Sequence, residues 1–318
     1  MIWGVFFLFI LLLLALDLGV LHRKDGEVSF RAAAAWSAVW LSIGLAFSGV
    51  VYGIYEYHWF GKEFTSDHHG GGMEAALAYL TGYVIEESLS VDNLFVIAVI
   101  FRTFGVGVAY RYRVLFWGIL GALMMRALMI AGGVWMISKF SWMFYIFGAY
   151  LAFTGTKLLT SADAEPDVES APSVRFSRRY LPLANGFHQG RFFAKENGRW
   201  CITLLGLVLV VVEATDVIFA LDSVPAVLAI SNDPFIVYTS NIFAILGLRS
   251  LFFVLSGLVE RFKYLKTALA GILIFIGVKM LLHAVLEVST PVSLLVIMLM
   301  LALGVAFSIR AERSDNSA

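Results

Sequence analysis

Hydrophobic and polar positions in this chain are sorted by segment rather than by face. Apolar runs of about 20 residues or more alternate with polar connections, and each run is long enough to cross roughly 30 Å of hydrocarbon. Nine such runs stand at about 1–20, 32–55, 73–101, 113–137, 142–160, 201–230, 235–257, 264–284 and 291–309. They predict an all-α, polytopic membrane protein of about nine transmembrane helices. The one long polar interval is 161–200. It opens acidic and proline-containing (Asp163, Glu165, Pro166, Asp167, Glu169, Pro172) and then turns basic. Its end, Arg191-Phe-Phe-Ala-Lys-Glu-Asn197-Gly198-Arg-Trp200, predicts a short hairpin around the Asn-Gly pair.

Composition agrees with a bilayer as the solvent. Of 318 residues, 60% are hydrophobic and 14% charged, where a soluble domain is about a quarter charged. Mean hydropathy is +0.85. A net charge of zero argues against a nucleic-acid partner. The single cysteine, Cys201, allows no intrachain disulfide. The first run lacks a basic start and a small-residue cleavage site, so it is read as a retained helix.

Basic residues set the orientation. Arg23, Lys24 and Arg31, then Arg102, Arg111 and Arg113, then the arginines and lysines of 161–200, then Arg261, Lys263 and Lys266, and finally Arg310 and Arg313 all fall on one side. The other side has Lys62 and Lys139. The expectation is a multi-pass protein of the inner (cytoplasmic) membrane, with the N-terminus outside and the C-terminus in the cytoplasm.

The chain also repeats. Asp92-Asn93-Leu-Phe-Val-Ile-Ala-Val-Ile aligns with Asp222-Ser223-Val-Pro-Ala-Val-Leu-Ala-Ile at an offset of 130, and Glu86 aligns with Asp216 at the same offset. Arg126 aligns with Arg249 at 123, and Gly155-Thr-Lys157 with Gly277-Val-Lys279 at 122. The first copy starts with a span running inward and the second with one running outward, so the expectation is two inverted three-helix repeats. Inverted repeats are characteristic of secondary transporters, whose sites lie near mid-membrane between the repeats. The division is 1–72 for two N-terminal helices and an external loop, 73–160 for the first repeat, 161–200 for the cytoplasmic linker, 201–285 for the second repeat, and 286–318 for the last helix and tail.

Six carboxylates lie inside apolar spans: Glu86, Glu87, Asp92, Glu213, Asp216 and Asp222. Each is costly at the bilayer centre unless it is paired or faces a polar cavity. At about 100° per residue, Tyr83, Glu86, Ser90 and Asn93 share one face, and Asp92 stands about 120° from Glu86. Pro225 leaves the Leu221 carbonyl without its N–H, which predicts a kink or local opening beside Asp222. The candidate ligands Asp92, Asp222, Glu86, Asp216, Glu213, Asn93 and Ser223 are all oxygen donors, which suits manganese, magnesium or calcium and disfavours zinc or copper. Arg126 and Arg249 are candidate counter-charges. Six acids against Arg126, Arg249, Lys157 and Lys279 leave two negative charges, the complement of one divalent cation. Asp17 reads as an interfacial acid, and Asp67-His68-His69 followed by three glycines as a loop. No Walker motif, activated serine or cysteine dyad is present, so neither an enzyme nor a cofactor is expected.

At these motifs the sequence resembles the TerC family of membrane proteins, in its Alx-like branch. The resemblance rests on Gly82-Tyr-Val-Ile-Glu86-Glu-Ser-Leu-Ser-Val-Asp92-Asn93, on Glu213-Ala-Thr-Asp216-Val-Ile-Phe-Ala-Leu-Asp222-Ser-Val-Pro-Ala, on Asp233 through Asn241 to Arg249, and on the Lys279 motif. It implies export of Mn²⁺ from the cytoplasm, with the intramembrane acids as ligands and Mn²⁺ as substrate. The residues by themselves specify only a hard divalent cation. The alternative expectation is an accessory membrane protein for metal delivery to secreted or membrane proteins, or a subunit of a metal-stress resistance complex.

Overall fold

The computed structural model describes residues 2–21, 30–61, 71–160, 184, 190–196, 198–255, 264–286 and 288–315. Nine helices run through them: α1 (Ile2–Leu21), α2 (Phe30–Glu56), α3 (Gly72–Thr103), α4 (Val108–Lys139), α5 (Met143–Thr160), α6 (Leu204–Leu228), α7 (Pro234–Leu255), α8 (Leu265–Leu281) and α9 (Thr290–Asp315). Each lies on one of the nine apolar runs, its ends shifted by no more than a turn or two. By length and composition α2, α4, α6 and α9 are apolar enough to cross a membrane, and α1 and α7 contain shorter apolar stretches. α3 is long enough, at 32 residues or about 48 Å, but its acids lower its hydropathy.

Side-chain contacts fix the direction of each helix relative to its neighbours. Trp3 and Phe6 of α1 pack on Phe235 and Tyr238 of α7, and Phe9 packs on Phe243, so α1 and α7 run parallel. Tyr83 of α3 fills the space left by Gly44 of α2, while Gly72 meets Tyr52 and Glu56, so these two are antiparallel. Gly82 meets Ser240 and Phe101 meets Phe252, making α3 parallel to α7. Gly118 meets Val212 and Gly133 meets Leu228, making α4 parallel to α6. Gly304 of α9 meets Ala268 of α8, and Lys279 bonds Ser293, so these run oppositely. Odd and even helices alternate in direction up to α5 and again from α6, as successive membrane crossings require.

The pairing of α5 with α8 is the most extensive in the bundle. The two helices cross on glycines. A Cβ on Gly155 would fall 2.7 Å from the Ala270 carbonyl, and one on Gly277 would fall 2.6 Å from the Gly148 carbonyl. Moving each residue by 122 positions turns one contact into the other. Two antiparallel helices exchange contacts in this way when a two-fold axis stands perpendicular to both. The same exchange maps the packing of α3 on α7 onto that of α6 on α4.

The hairpin stands where the Asn-Gly pair puts it. β1 (Phe193–Glu196) pairs antiparallel with β2 (Arg199–Ile202), with Phe193 opposite Ile202 and Glu196 opposite Arg199. Gly198 has φ +80, the left-handed value a two-residue turn demands. Thr203 then caps α6: its Oγ1 accepts from the Gly206 N–H at 3.1 Å and donates to the Arg191 carbonyl at 2.5 Å. The local opening expected beside Asp222 is not seen. α6 runs unbroken through Pro225, with no opening beside Asp222. Val224 to Leu228 are all buried, and packing on every side holds the turn despite the missing N–H.

Candidate functional site

The centre of the bundle is built around Gly82. A Cβ there would lie 2.9 Å from Ser240 Oγ of α7 and 2.9 Å from Val227 Cγ1 of α6, so its absence lets three helices meet. One turn further along α3, Glu86 enters the same space, opposite Arg126 of α4 and Asp216 of α6. Arg126 and Glu86 are both fully buried. Arg126 Nη1 pairs with Glu86 Oε1, and Nη2 lies 3.1 Å from Asp216 Oδ1. Nε donates to Asp216 Oδ2 at 3.5 Å, and Nη1 also reaches Asn241 Oδ1 at 3.0 Å and Ser223 Oγ at 3.4 Å. Asn241 is held in turn by its Nδ2, which donates to the Val237 carbonyl at 3.0 Å. The planar fork of arginine suits such a bridge between two carboxylates. Two acids on one arginine leave one negative charge, and Glu86 Oε2 is buried with no hydrogen-bond partner.

Asp92 and Asp222 form a second group. As helix geometry requires, Asp92 points away from the Arg126 unit. The two aspartates are half-buried and within electrostatic reach of each other. Asp222 has Tyr150 and Thr154 of α5 as hydrogen-bonding neighbours and Lys157 in electrostatic range. Its Oδ1 is buried without a partner. Lys266, at the start of α8, acts on Asp92. Asn93, next to Asp92, is buried with an unpartnered Nδ2. Glu213 lies beside Asp216 and occupies the hollow left by Gly121 of α4, where a Cβ would overlap its carboxylate.

The seven candidate ligands therefore divide. Glu86, Asp216 and Ser223 belong with Arg126, while Asp92 and Asp222 lie outside that unit, Asp222 beside Tyr150 and Thr154 and Asp92 toward Lys266. Among the described residues no three histidines, cysteines, aspartates or glutamates converge on one point. Lys279 leaves the expected charge balance, because its Nζ donates to Ser293 Oγ of α9 at 3.0 Å. The side chains of Arg249 and Asp17, and the whole of Asp67-His68-His69, lie outside the described residues. Sequence reasoning missed Asn241, Tyr150, Thr154 and Lys266 as site neighbours. Only Asn241, an amide within an apolar helix, carried a signal.

An apolar helical bundle with ion-paired carboxylates at its centre is a polytopic integral membrane protein. Residues 71–316 match the model of the "Integral membrane protein TerC family", and the chain belongs to that family. It is 45% identical over 312 residues to "Uncharacterized membrane protein STKORF319" of Myxococcus xanthus, covering 98% of this chain and 93% of that one. It is 43% identical over 295 residues to "Putative membrane-bound redox modulator Alx" of Escherichia coli K12, covering 92% of this chain and 89% of the relative. A Rickettsia bellii membrane protein is 40% identical over 309 residues, 97% of each chain. No solved structure matches the chain.

Proposed function

We propose that this chain is a secondary transporter that exports a hard divalent cation, Mn²⁺, from the cytoplasm. Asp92 and Asp222 are the central ligands, with Glu86, Asp216, Glu213, Asn93 and Ser223 as the polar surround. The observation that carries this reading is the division of the acids. Arg126 already neutralises much of Glu86 and Asp216, whereas Asp92 and Asp222, on repeat-matched helices, stand outside that pairing and within electrostatic reach of each other. A cation shared by both relieves the repulsion between them. The oxygen-only donor set supports a hard ion, and manganese rests on the family resemblance. The two-fold exchange of helix contacts supports an inverted repeat and alternating access about a mid-membrane site. The basic loops support an inner-membrane protein with the N-terminus outside and the C-terminus in the cytoplasm. On this reading the protein is not an enzyme and needs no resident cofactor.

A second reading, an accessory protein for metal delivery or a stress-resistance subunit, draws on the hairpin, where Phe193 and Trp200 are 62% and 71% exposed. The redox role in the Escherichia coli relative's name has no dithiol to act through within one chain, since Cys201 is the only cysteine.

Metal flux into reconstituted vesicles, with and without a pH gradient, tests the proposal. Asp92→Asn and Asp222→Asn should each cut Mn²⁺ flux about a hundredfold, the effect of losing a few kcal/mol of ligand binding. Full flux in both variants would overturn the aspartate site. No flux in the wild-type protein would overturn transport in favour of the accessory reading.

A further inference from the structure

The β1–β2 hairpin is fixed to the bundle at a definite depth. Arg126 and Asp216, which pair, mark the middle of α4 and of α6. Thr203, the cap of α6, stands thirteen residues before Asp216, or about 20 Å along the axis. Hydrocarbon ends about 15 Å from the bilayer centre and headgroups end at about 20–22 Å, so this cap lies in the headgroup layer. Arg113 of α4 stands equally far before Arg126, and its Nη1 donates to the Gly190 carbonyl at 2.8 Å. The Thr203 N–H donates to the Phe192 carbonyl at 3.0 Å, and that carbonyl lies against Gly206. Phe192 packs edge-on against Trp117 of α4, with ring centroids 6.5 Å apart. Trp117 is exposed on the flank of α4, nine residues before Arg126, which puts it about 13 Å from the centre and just inside the hydrocarbon.

The register of the hairpin decides what it shows at that depth. Residues opposite each other in a ladder point to the same side, and sides alternate along each strand. Phe193, Lys195, Trp200 and Ile202 therefore share one face. Ile202 is buried against Gly206 of α6, whereas Phe193, Lys195 and Trp200 are exposed. Arg191 and Arg199 are exposed as well. Residues 191–202 hold three basic residues and one acid. Aromatic rings beside cations suit the boundary between acyl chains and anionic headgroups, where the rings sit at the glycerol level and the cations meet phosphate. The apolar surface is continuous from Trp117 through Phe192 to Phe193. A protein partner would have to displace lipid from the headgroup layer to cover that face, whereas lipid already fills it.

We propose that the β1–β2 hairpin is a membrane-surface anchor for anionic phospholipid, with Phe193 and Trp200 set among the headgroups beside Trp117 and with Arg191, Lys195 and Arg199 on the lipid phosphates. Its base is rigid, because Thr203 Oγ1 joins the Arg191 carbonyl to the first turn of α6. Lipid held by the hairpin therefore fixes the start of α6 at the bilayer surface, on the side where the polar interval 161–200 ends. The anchor is independent of what the protein moves and of which side is cytoplasmic.

Tryptophan quenching in the full-length protein in lipid nanodiscs, which leave both faces open, tests the anchor. The signal of Trp200 is the difference between wild type and Trp200→Phe, a change at an exposed position that leaves the fold intact. Phosphatidylglycerol brominated high on its acyl chains should quench that signal, and more strongly than phosphatidylcholine brominated at the same carbons. Diluting the brominated phosphatidylglycerol into plain phosphatidylcholine gives the fraction needed for half-quenching. That fraction should rise about fivefold in Lys195→Gln and about fivefold again when Arg199→Gln is added, the factor one basic residue contributes near an anionic surface. Lys139→Gln, at the far end of α4, should leave it unchanged. A Trp200 signal untouched by either lipid would overturn the anchor and leave the hairpin to a protein partner. Equal quenching by the two lipids, or a half-quenching fraction unmoved by both substitutions, would overturn the anionic site. The result is read without any metal, so a protein that moves no manganese but passes this test loses the transport proposal and keeps the anchor.

Discussion

At the scale of single residues, the critical asymmetry is that one arginine serves two acids. Arg126→Gln would leave Glu86 and Asp216 buried against each other without a cation, and removing one partner of a buried pair costs about 3–5 kcal/mol. The purified variant should unfold at a clearly lower temperature, and Arg126→Lys should recover little, because an ammonium cannot bridge two carboxylates as a fork does. A wild-type melting temperature for Arg126→Lys would show that the bridge is unimportant. Gly121→Ala is a milder probe of the same region. Its new methyl occupies the position of the Glu213 carboxylate, so Glu213 must move, and transport should fall while the fold survives. The acids of this site were legible in the sequence because charge inside an apolar run is conspicuous. Arg126 was legible as a counter-charge for the same reason, but which groups it holds was not, because it lies 90 positions from Asp216 and 115 from Asn241, and pairing at such separations is decided by packing.

At the scale of helices, length and position were legible almost throughout, since the bilayer imposes them on composition. What the pattern could not convey was how a helix behaves at its exceptions. Pro225 reads as a break, yet its neighbours hold α6 continuous. Pro225→Ala should return an N–H to the Leu221 carbonyl, and hydrogen exchange at residue 225 should be slow; fast exchange there would indicate an opening absent from this structure. Glycines are equally ambiguous in sequence. Gly155 and Gly277 sit against backbone, so alanine at either should destabilise by about 1–3 kcal/mol through overpacking. Gly132 has nothing within 4 Å, and Gly132→Ala should be neutral or stabilising by up to about 1 kcal/mol. Equal melting temperatures for Gly277→Ala and Gly132→Ala would contradict the close crossing of α5 and α8.

At the scale of the molecule, if each of the nine described helices crosses the bilayer, their alternating directions put the start of α1 and the end of α9 on opposite sides. A tag at the C-terminus and one in 161–200 should be protected outside the cell and reactive in inverted vesicles, while tags near Gly71 and Asp233 should behave oppositely. Equal accessibility of the Gly71 and 161–200 tags would break the proposed inversion. The glycine crossing of α5 and α8 has a mechanical side. Backbones in direct contact have no flexible side chains between them to absorb sliding, and a shift by one turn would drive Ile274 or Met280 into the space each glycine leaves. The two helices can therefore tilt about their crossing but not travel along each other. That makes the crossing a fulcrum: if the halves rock to expose Asp92 and Asp222 to one side and then the other, displacement is smallest at Gly155 and Gly277 and grows toward the helix ends, as on a lever.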